Sequence, residues 1–202
     1  ISGDASGTIW TGTYLMLTGD LEGNMPISIS YSDSTGNAGV TATGTIGGSK
    51  VRFDKTLPTL NPVTISTDNT NNQKAILGSI VTVNFTSAEG LKGVSVDIGT
   101  RTASLVSDAS GTIWTASDTM KVIYNEGVQS ISISFQDSTG NIGALVTTTT
   151  NSSSVVYDKT IPVVSNVSIV SNNTNTSKAK TGNQVTLTFA SSETIFTPVV
   201  TF

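Results

Sequence analysis

The sequence predicts an all-β protein made of tandem antiparallel β-sandwiches, with one complete domain and a half domain at each end. Three observations support this prediction. Sequence blocks recur at a fixed offset of 104 residues, which is the size of an ordinary domain. Apolar and polar residues alternate with the period of a β-strand, and no stretch has helical periodicity. Charged residues make up only 12% of the chain, and most other polar residues are the Thr, Ser, Asn and Gly typical of strands and turns.

The repeated blocks set the phase of the repeat along the chain. Three blocks return 104 residues later almost unchanged: Asp-Ala-Ser-Gly-Thr-Ile-Trp-Thr at residues 4–11, Asp-Ser-Thr-Gly-Asn at 33–37 and Asp-Lys-Thr-Leu-Pro at 54–58. Residues 1–57 are therefore predicted to be the C-terminal half of one repeat. Residues 58–161 would form a complete repeat, and residues 162–202 the N-terminal half of a further one.

Alternation predicts the individual strands. In residues 1–57 they cover residues 8–16, 26–32, 40–46 and 51–53. In the complete repeat they start with Val63 and Ile65 and continue over residues 80–86, 93–98, 102–106, 113–120, 128–135, 144–150 and 154–157. About seven to eight short strands at regular spacing are typical of an antiparallel sandwich. Residues 162–202 repeat the first strands, because Val185, Leu187 and Phe189 match Val81, Val83 and Phe85.

A half-sandwich leaves apolar faces and strand edges in water. We therefore expect residues 163–202 of one copy to pair with residues 1–57 of the next, head to tail. The pairing would be either covalent continuation in a longer chain or strand complementation between subunits. Heterologous contacts of this kind build open filaments rather than closed dimers.

Composition argues against several classes of function. The chain has no histidine and no cysteine, so the usual general base, thiol nucleophile and soft metal ligands are missing. We therefore expect no enzyme activity. A net charge of −4 with ten scattered basic residues does not suit nucleic acid. No apolar run approaches the roughly twenty residues of a membrane span, so we expect no membrane insertion in this segment.

Carboxylates are the candidate site residues, because three acidic positions recur in the repeat. Asp33 and Asp137 open the turns, Asp54 and Asp158 open the linkers, and Glu89 and Glu193 follow a core strand. Loops gather at the ends of a sandwich, so some of these acids should meet where successive domains join. Oxygen ligands on loops suit Ca²⁺. In the alternative interpretation, each Asp caps its own turn by accepting backbone hydrogen bonds.

Trp10 and Trp114 are the largest side chains at equivalent positions. We expect them to be core aromatics that pack between the two sheets, because Met16 and Met120 share their alternation. The alternative is an exposed tryptophan that binds carbohydrate.

These landmarks together resemble the bacterial Ig-like tandem repeats of large cell-surface adhesins. The resemblance rests on the Asp-x-x-Gly-Asn turn, on the Phe/Tyr-Asp-Lys-Thr-x-Pro linker and on the Val-x-Ile-x-Ser-Asn-Asn-Thr opening at residues 167–174. It implies Ig-like sandwiches in a rigid extracellular stalk. It also implies Ca²⁺ at the domain junctions, held by Asp33, Asp54, Glu89, Asp137, Asp158 and Glu193. The family linker commonly has Ala before Pro, where this chain has Leu57 and Ile161.

The sequence thus predicts a structural repeat segment of an extracellular, cell-surface protein, with a hinge restricted by Pro58 and Pro162. Its partners would be neighbouring repeats or copies of the same chain. Two alternatives remain open: a filament subunit joined head to tail, and an Ig-like module that binds a glycan or a host ligand. Loops made of Asn, Thr, Ser and Gly rather than aromatic residues favour the structural interpretation.

Overall fold

The structure is a computed structural model that describes all 202 residues, and it consists of strands, turns and loops. The prediction of an all-β fold is confirmed. No helix long and apolar enough to cross a membrane is present.

Sixteen strands follow one another along the chain. Residues 1–57 hold four short ones: β1 (Ser2–Gly3), β2 (Trp10–Thr11), β3 (Gly23–Asn24) and β4 (Arg52–Phe53). Residues 58–161 hold β5 (Leu60–Thr67), β6 (Lys74–Ala75), β7 (Ile80–Ser87), β8 (Leu91–Ile98), β9 (Arg101–Thr102), β10 (Ser104–Ser107), β11 (Ile113–Thr119), β12 (Gly127–Val128), β13 (Ile131–Asp137) and β14 (Val156–Tyr157). Residues 162–202 hold β15 (Val164–Ser171) and β16 (Val185–Ser191).

The core lies between residues 60 and 157, where nineteen buried apolar residues form one cluster. They come mainly from two antiparallel sheets, one in the order β10-β11-β7-β5 and the other in the order β13-β8-β9. Alternate residues are buried, as at Val81, Val83 and Phe85 in β7 and at Ile131 and Ile133 in β13. This period of two is what the pleat of a strand with one face in a core requires.

A third, smaller sheet closes the end of this unit from which the linker leaves. Its order is β12-β14-β6, and β14 pairs with β6 in parallel. Beneath it the rings of Tyr124 and Tyr157 meet edge to face, with centroids 6.4 Å apart. The Tyr157 hydroxyl donates to the Lys121 carbonyl at 3.1 Å. The residue before the linker is therefore anchored in the core.

Three predicted strands are not formed as strands. Residues 26–32 and 40–46 make only the isolated bridges Ile29–Ala42 and Ser32–Ala38, and residues 144–150 make one, Val146–Ile133. In the complete repeat the equivalent of residues 26–32 is β13, which is held along its length by β8. Residues 26–32 have no such neighbour. They keep the alternation of apolar side chains but lack the partner strand that would pair with their backbone.

Matched substitutions test where the core lies. Ile133→Ala is expected to destabilise residues 58–161 by about 2–5 kcal/mol, because it empties space in a close-packed core. Ile29→Ala removes the same side chain at the equivalent position, where it is 53% exposed, and should change the same transition by less than about 0.5 kcal/mol. Urea unfolding of the dilute chain, followed by far-UV circular dichroism, measures both values. Equal losses would contradict this placement of the core.

Candidate functional site

The candidate site lies at the junction where residues 54–60 lead into the complete repeat. Three carboxylates from separate parts of the chain converge there: Asp54 follows β4, Glu89 lies between β7 and β8, and Asp137 ends β13. Ligand oxygens of the three side chains all lie within 4.8 Å of one another. The structure therefore brings together three of the six predicted metal-site residues, one from the linker and two from the repeat that follows it.

Asp137 is buried and is held by its own turn. Its Oδ1 accepts hydrogen bonds from the backbone N–H groups of Thr139, Gly140 and Asn141 at 2.7–2.9 Å. Its Oδ2 accepts one from Asn141 Nδ2 at 2.7 Å. Burial raises the pKa of this carboxyl, but hydrogen bonds from Asn141 and Thr139 outweigh it and lower the pKa to about 2. Asp137 thus caps its turn and also faces the junction.

Asn141 connects that turn to the linker. The same Nδ2 group that bonds Asp137 also donates to the backbone carbonyl of Asp54 at 3.2 Å. One amide therefore ties the linker backbone to the repeat that follows. The Asp-Ser-Thr-Gly-Asn block supplies both this amide and the buried carboxylate.

No hydrogen bond compensates the charge of the Glu89 carboxylate. Its backbone N–H donates to Ser87 Oγ at 3.4 Å, but its carboxylate accepts no hydrogen bond. Burial raises the pKa of Glu89, and the negative charges of Asp137 and Asp54 raise it further, against a weaker opposing effect of Arg52. The junction therefore favours either a proton or a cation beside Glu89.

The donor set at the junction fits a hard divalent cation. Asp54, Glu89 and Asp137 supply carboxylate oxygens on three loops, and Ca²⁺ takes six to eight oxygen ligands from carboxylates, carbonyls and water. Zinc would favour histidine or cysteine, and the chain has neither. A bound cation would also remove the mutual repulsion of the three carboxylates.

The other three predicted metal-site residues do not join a cluster. In the first copy of the turn, Asp33 Oδ1 accepts the N–H groups of Thr35 and Asn37 at 2.9 and 2.8 Å. Asp158 accepts the Thr160 N–H at 3.0 Å. Glu193 has a buried Oε1 atom without a hydrogen-bond partner. At the repeat offset of 104 residues, these three residues are the counterparts of Asp137, Asp54 and Glu89.

At the second linker, which follows the complete repeat, a set of hydrogen bonds fastens the linker to the repeat that precedes it. Lys159 Nζ donates to the carbonyl oxygens of Val122 and Tyr124 at 2.8 and 2.9 Å. Glu126 Oε1 accepts the Lys159 N–H at 2.8 Å and the Thr160 hydroxyl at 2.7 Å. The hydrogen bonds from Thr160 and Lys159 lower the pKa of Glu126. We call Glu126, Lys159 and Thr160 the linker clamp.

The first linker carries the same clamp, formed by Glu22, Lys55 and Thr56. Lys55 Nζ donates to the carbonyl oxygens of Thr18 and Asp20, both at 2.8 Å. Glu22 Oε1 accepts the Lys55 N–H and the Thr56 hydroxyl, also at 2.8 Å. The sequence-based prediction missed Glu22 and Glu126. The signal was present, because Glu-Gly recurs at the repeat offset, at residues 22–23 and 126–127.

A tyrosine–aspartate hydrogen bond closes each of the loops that carry the clamps. The tyrosine and the aspartate occupy opposite positions in the two copies of the repeat. Tyr14 donates to Asp20 at 2.9 Å, and Tyr124 donates to Asp118. Positions 14 and 118 are equivalent in the repeat, as are positions 20 and 124. The bond therefore persists although both of its residues differ.

The two tryptophans have different surroundings. Trp114 is half-buried and stacks on Phe85, with ring centroids 6.3 Å apart, and its Nε1 donates to the Gly111 carbonyl at 2.8 Å. Trp10 makes the equivalent bond to Gly7 at 3.0 Å but is 62% exposed. Trp114 thus packs against the edge of the core beside a strand of its own sheet rather than between the two sheets. Trp10 is exposed because no strand equivalent to β7 lies beside it.

Comparison with family models, curated proteins and solved structures finds no match to this chain. The role of the junction is therefore inferred from its own geometry.

Asp137→Asn is expected to destabilise the chain by on the order of 1–3 kcal/mol near neutral pH and by less in acid. The folded-state pKa of about 2 lies below the ordinary value of 3.8, so the carboxylate stabilises the fold above about pH 4. This contribution is lost as the pH falls through about 2.

Thermal unfolding of both proteins in EDTA, from near-neutral pH down to strongly acidic pH, measures the gap between them. Asp33→Asn, in the same turn of the first segment, is the control and should leave the main transition unchanged. A gap between wild type and Asp137→Asn that stays constant at every pH would contradict the role assigned to the Asp137 carboxylate.

Proposed function

We propose that this chain is a structural segment of a bacterial cell-surface protein, in which Ig-like sandwich repeats form a stalk and Ca²⁺ stiffens their junctions. The observation that carries the proposal is the double attachment of the linker. Lys55 and Thr56 are clamped to Glu22 before the junction. Asp54 is bound through its carbonyl by Asn141 after it.

A linker held in this way has little freedom to pivot. Its residues are fixed by hydrogen bonds to both sides, and the proline that follows, Pro58, is buried. The clamp recurs with nearly the same distances at Lys159. An array that must transmit force or hold a tip away from a surface needs such repeated, stiff junctions. The resemblance of the turn and linker motifs to adhesin repeats supports the same role.

We include Ca²⁺ in the proposal because the junction brings three carboxylates together without a neutralising partner for Glu89. Glu89 has no hydrogen bond to its carboxylate, and its pKa is raised by burial and by Asp137 and Asp54. A cation bound there would contact the linker residue Asp54 together with two residues of the next repeat. Bending the junction would then break metal–oxygen contacts, so binding would stiffen it.

Calcium-dependent unfolding tests the proposal. For the wild-type chain, free Ca²⁺ at about one hundred times Kd should stabilise the fold by about 2.7 kcal/mol relative to EDTA. Glu89→Gln should lose most of this gain. In EDTA the same variant should be more stable than wild type at neutral pH, because it removes a carboxylate whose ionisation the fold opposes.

Glu193→Gln is the matched control, because it changes the equivalent residue outside the three-carboxylate cluster. At a concentration where the chain is monomeric, it should keep the calcium gain of the wild-type chain. Scanning calorimetry of the three proteins measures all of these values. Identical melting of the wild-type chain in EDTA and in Ca²⁺ would refute the calcium junction, as would equal losses in the two variants.

A further inference from the structure

The chain carries two apolar faces that nothing in the structure covers. On the first segment, Ile29 and Tyr31 are both more than half exposed, and on the third segment so are Val167 and Ile169. Their counterparts in the complete repeat are all core residues: Ile133, Phe135, Val63 and Ile65. The two faces are therefore the two halves of one core. Contiguous apolar surface of this kind marks an interaction site.

The third segment presents an open groove of ≈ 380 Å³ whose lining is almost entirely apolar. Leu187, Phe189 and Ile195 contribute to it. Phe189 is the counterpart of Phe85, the ring on which Trp114 stacks in the complete repeat. Trp10, the counterpart of Trp114, is exposed at the other end of the chain. The groove therefore matches Trp10 in position and in chemistry.

The first segment has a complementary gap between residues 24–27 and 43–51, with a volume of ≈ 540 Å³. The equivalent groove in the complete repeat is ≈ 370 Å³ and has Ile65 of β5 as an extra wall. There the Ile65 N–H also donates to Ser153 Oγ at 2.9 Å. The residue that would fill the same place in the first segment is the counterpart of Ile65, which is Ile169.

We propose that residues 164–202 of one copy of this chain cover residues 10–53 of a second copy, head to tail, and close a sandwich with the strand register of residues 58–161. In that register β16 lies along β2, with Phe189 opposite Trp10, as Phe85 lies opposite Trp114. Residues 195–202 lie along residues 27–33, with Val200 opposite Ile29, as Val96 lies opposite Ile133.

The backbone of residues 195–202 already has the positive φ found in β8, the strand whose place it would take in the new sandwich. In β8, Gly93 has a φ of 57° where the register with β13 shifts. Its counterpart is Thr197, which has a φ of 48°. Positive φ is uncommon in residues other than glycine and costs energy in a β-branched one. Thr197 thus holds the bulge conformation that pairing with residues 27–33 requires.

Head-to-tail pairing also accounts for the acids left outside the junction cluster. Asp158 and Glu193 of one copy would meet Asp33 of the second copy, in the arrangement of Asp54, Glu89 and Asp137. The inference of pairing rests on the apolar faces and the strand register. It therefore does not depend on the proposed Ca²⁺ binding.

Disulfide trapping tests the register, because the chain has no cysteine of its own. In the complete repeat Thr115 Oγ1 donates to Asn84 Oδ1 across the sheet at 2.9 Å, and their counterparts are Thr11 and Thr188. The double variant Thr11→Cys/Thr188→Cys should therefore oxidise to a ladder of covalent multimers. Thr11→Cys/Thr186→Cys, on the same face but two residues out of register, should lose the ladder, because diagonal positions are too far apart for a disulfide.

Sedimentation of the unmodified chain provides a second measurement. Its mass should rise with concentration in steps of 20.8 kDa, and Trp10→Ala should weaken this association while leaving the folded core intact. Both experiments are run in EDTA and in Ca²⁺, and association in either solution supports the pairing. Three results would overturn it: a chain that stays monomeric at every concentration in both solutions, a disulfide that closes within a single chain of the first double variant, or equal ladders from both double variants.

Discussion

A β-sheet needs a cover for its apolar face and a partner for its edges, and the organisation of this chain follows from where that need is met. Between residues 60 and 157 it is met, because strands from both halves of the repeat bury Val83 and Ile133 in one core. On either side of this core, apolar and polar residues alternate in the same way, but the strands of the other half of the repeat are missing. Ile29 and Val167 are therefore exposed, although nothing in their local sequence distinguishes them from buried counterparts.

The junction combines two electrostatic arrangements of opposite character. In the clamp of this junction the ammonium group of Lys55 donates to carbonyl oxygens, while Glu22 accepts hydrogen bonds from N–H and O–H donors that lower its pKa. Around Glu89, carboxylates face one another without such donors and its pKa rises. The clamp carboxylate is thus satisfied by donors of the chain itself, whereas the Glu89 carboxylate accepts no hydrogen bond. The cluster is therefore the part of the junction that the proposed Ca²⁺ site would use.

The sequence alone predicted the fold class and the acidic positions, because a repeat offset converts single motifs into aligned positions. It correctly indicated all-β structure from alternation. It did not separate Trp10 from Trp114, or residues 26–32 from β13, because alternation encodes which face is apolar and not whether a partner strand lies against it. Glu126 was missed for a related reason. Its role depends on Lys159, which lies 33 residues away in the chain, and no local pattern links the two.

In the proposed pairing, the two halves of one sandwich require each other. Amide hydrogen exchange, compared between dilute and concentrated chain, tests it most directly. We expect strong protection of β7 and β13 at all concentrations, and protection of residues 27–33 and 195–202 that appears only as the concentration rises. Protection of residues 27–33 equal to that of β13 in the dilute chain would show that the first segment needs no second half. Their full exchange at the highest concentration would contradict the pairing.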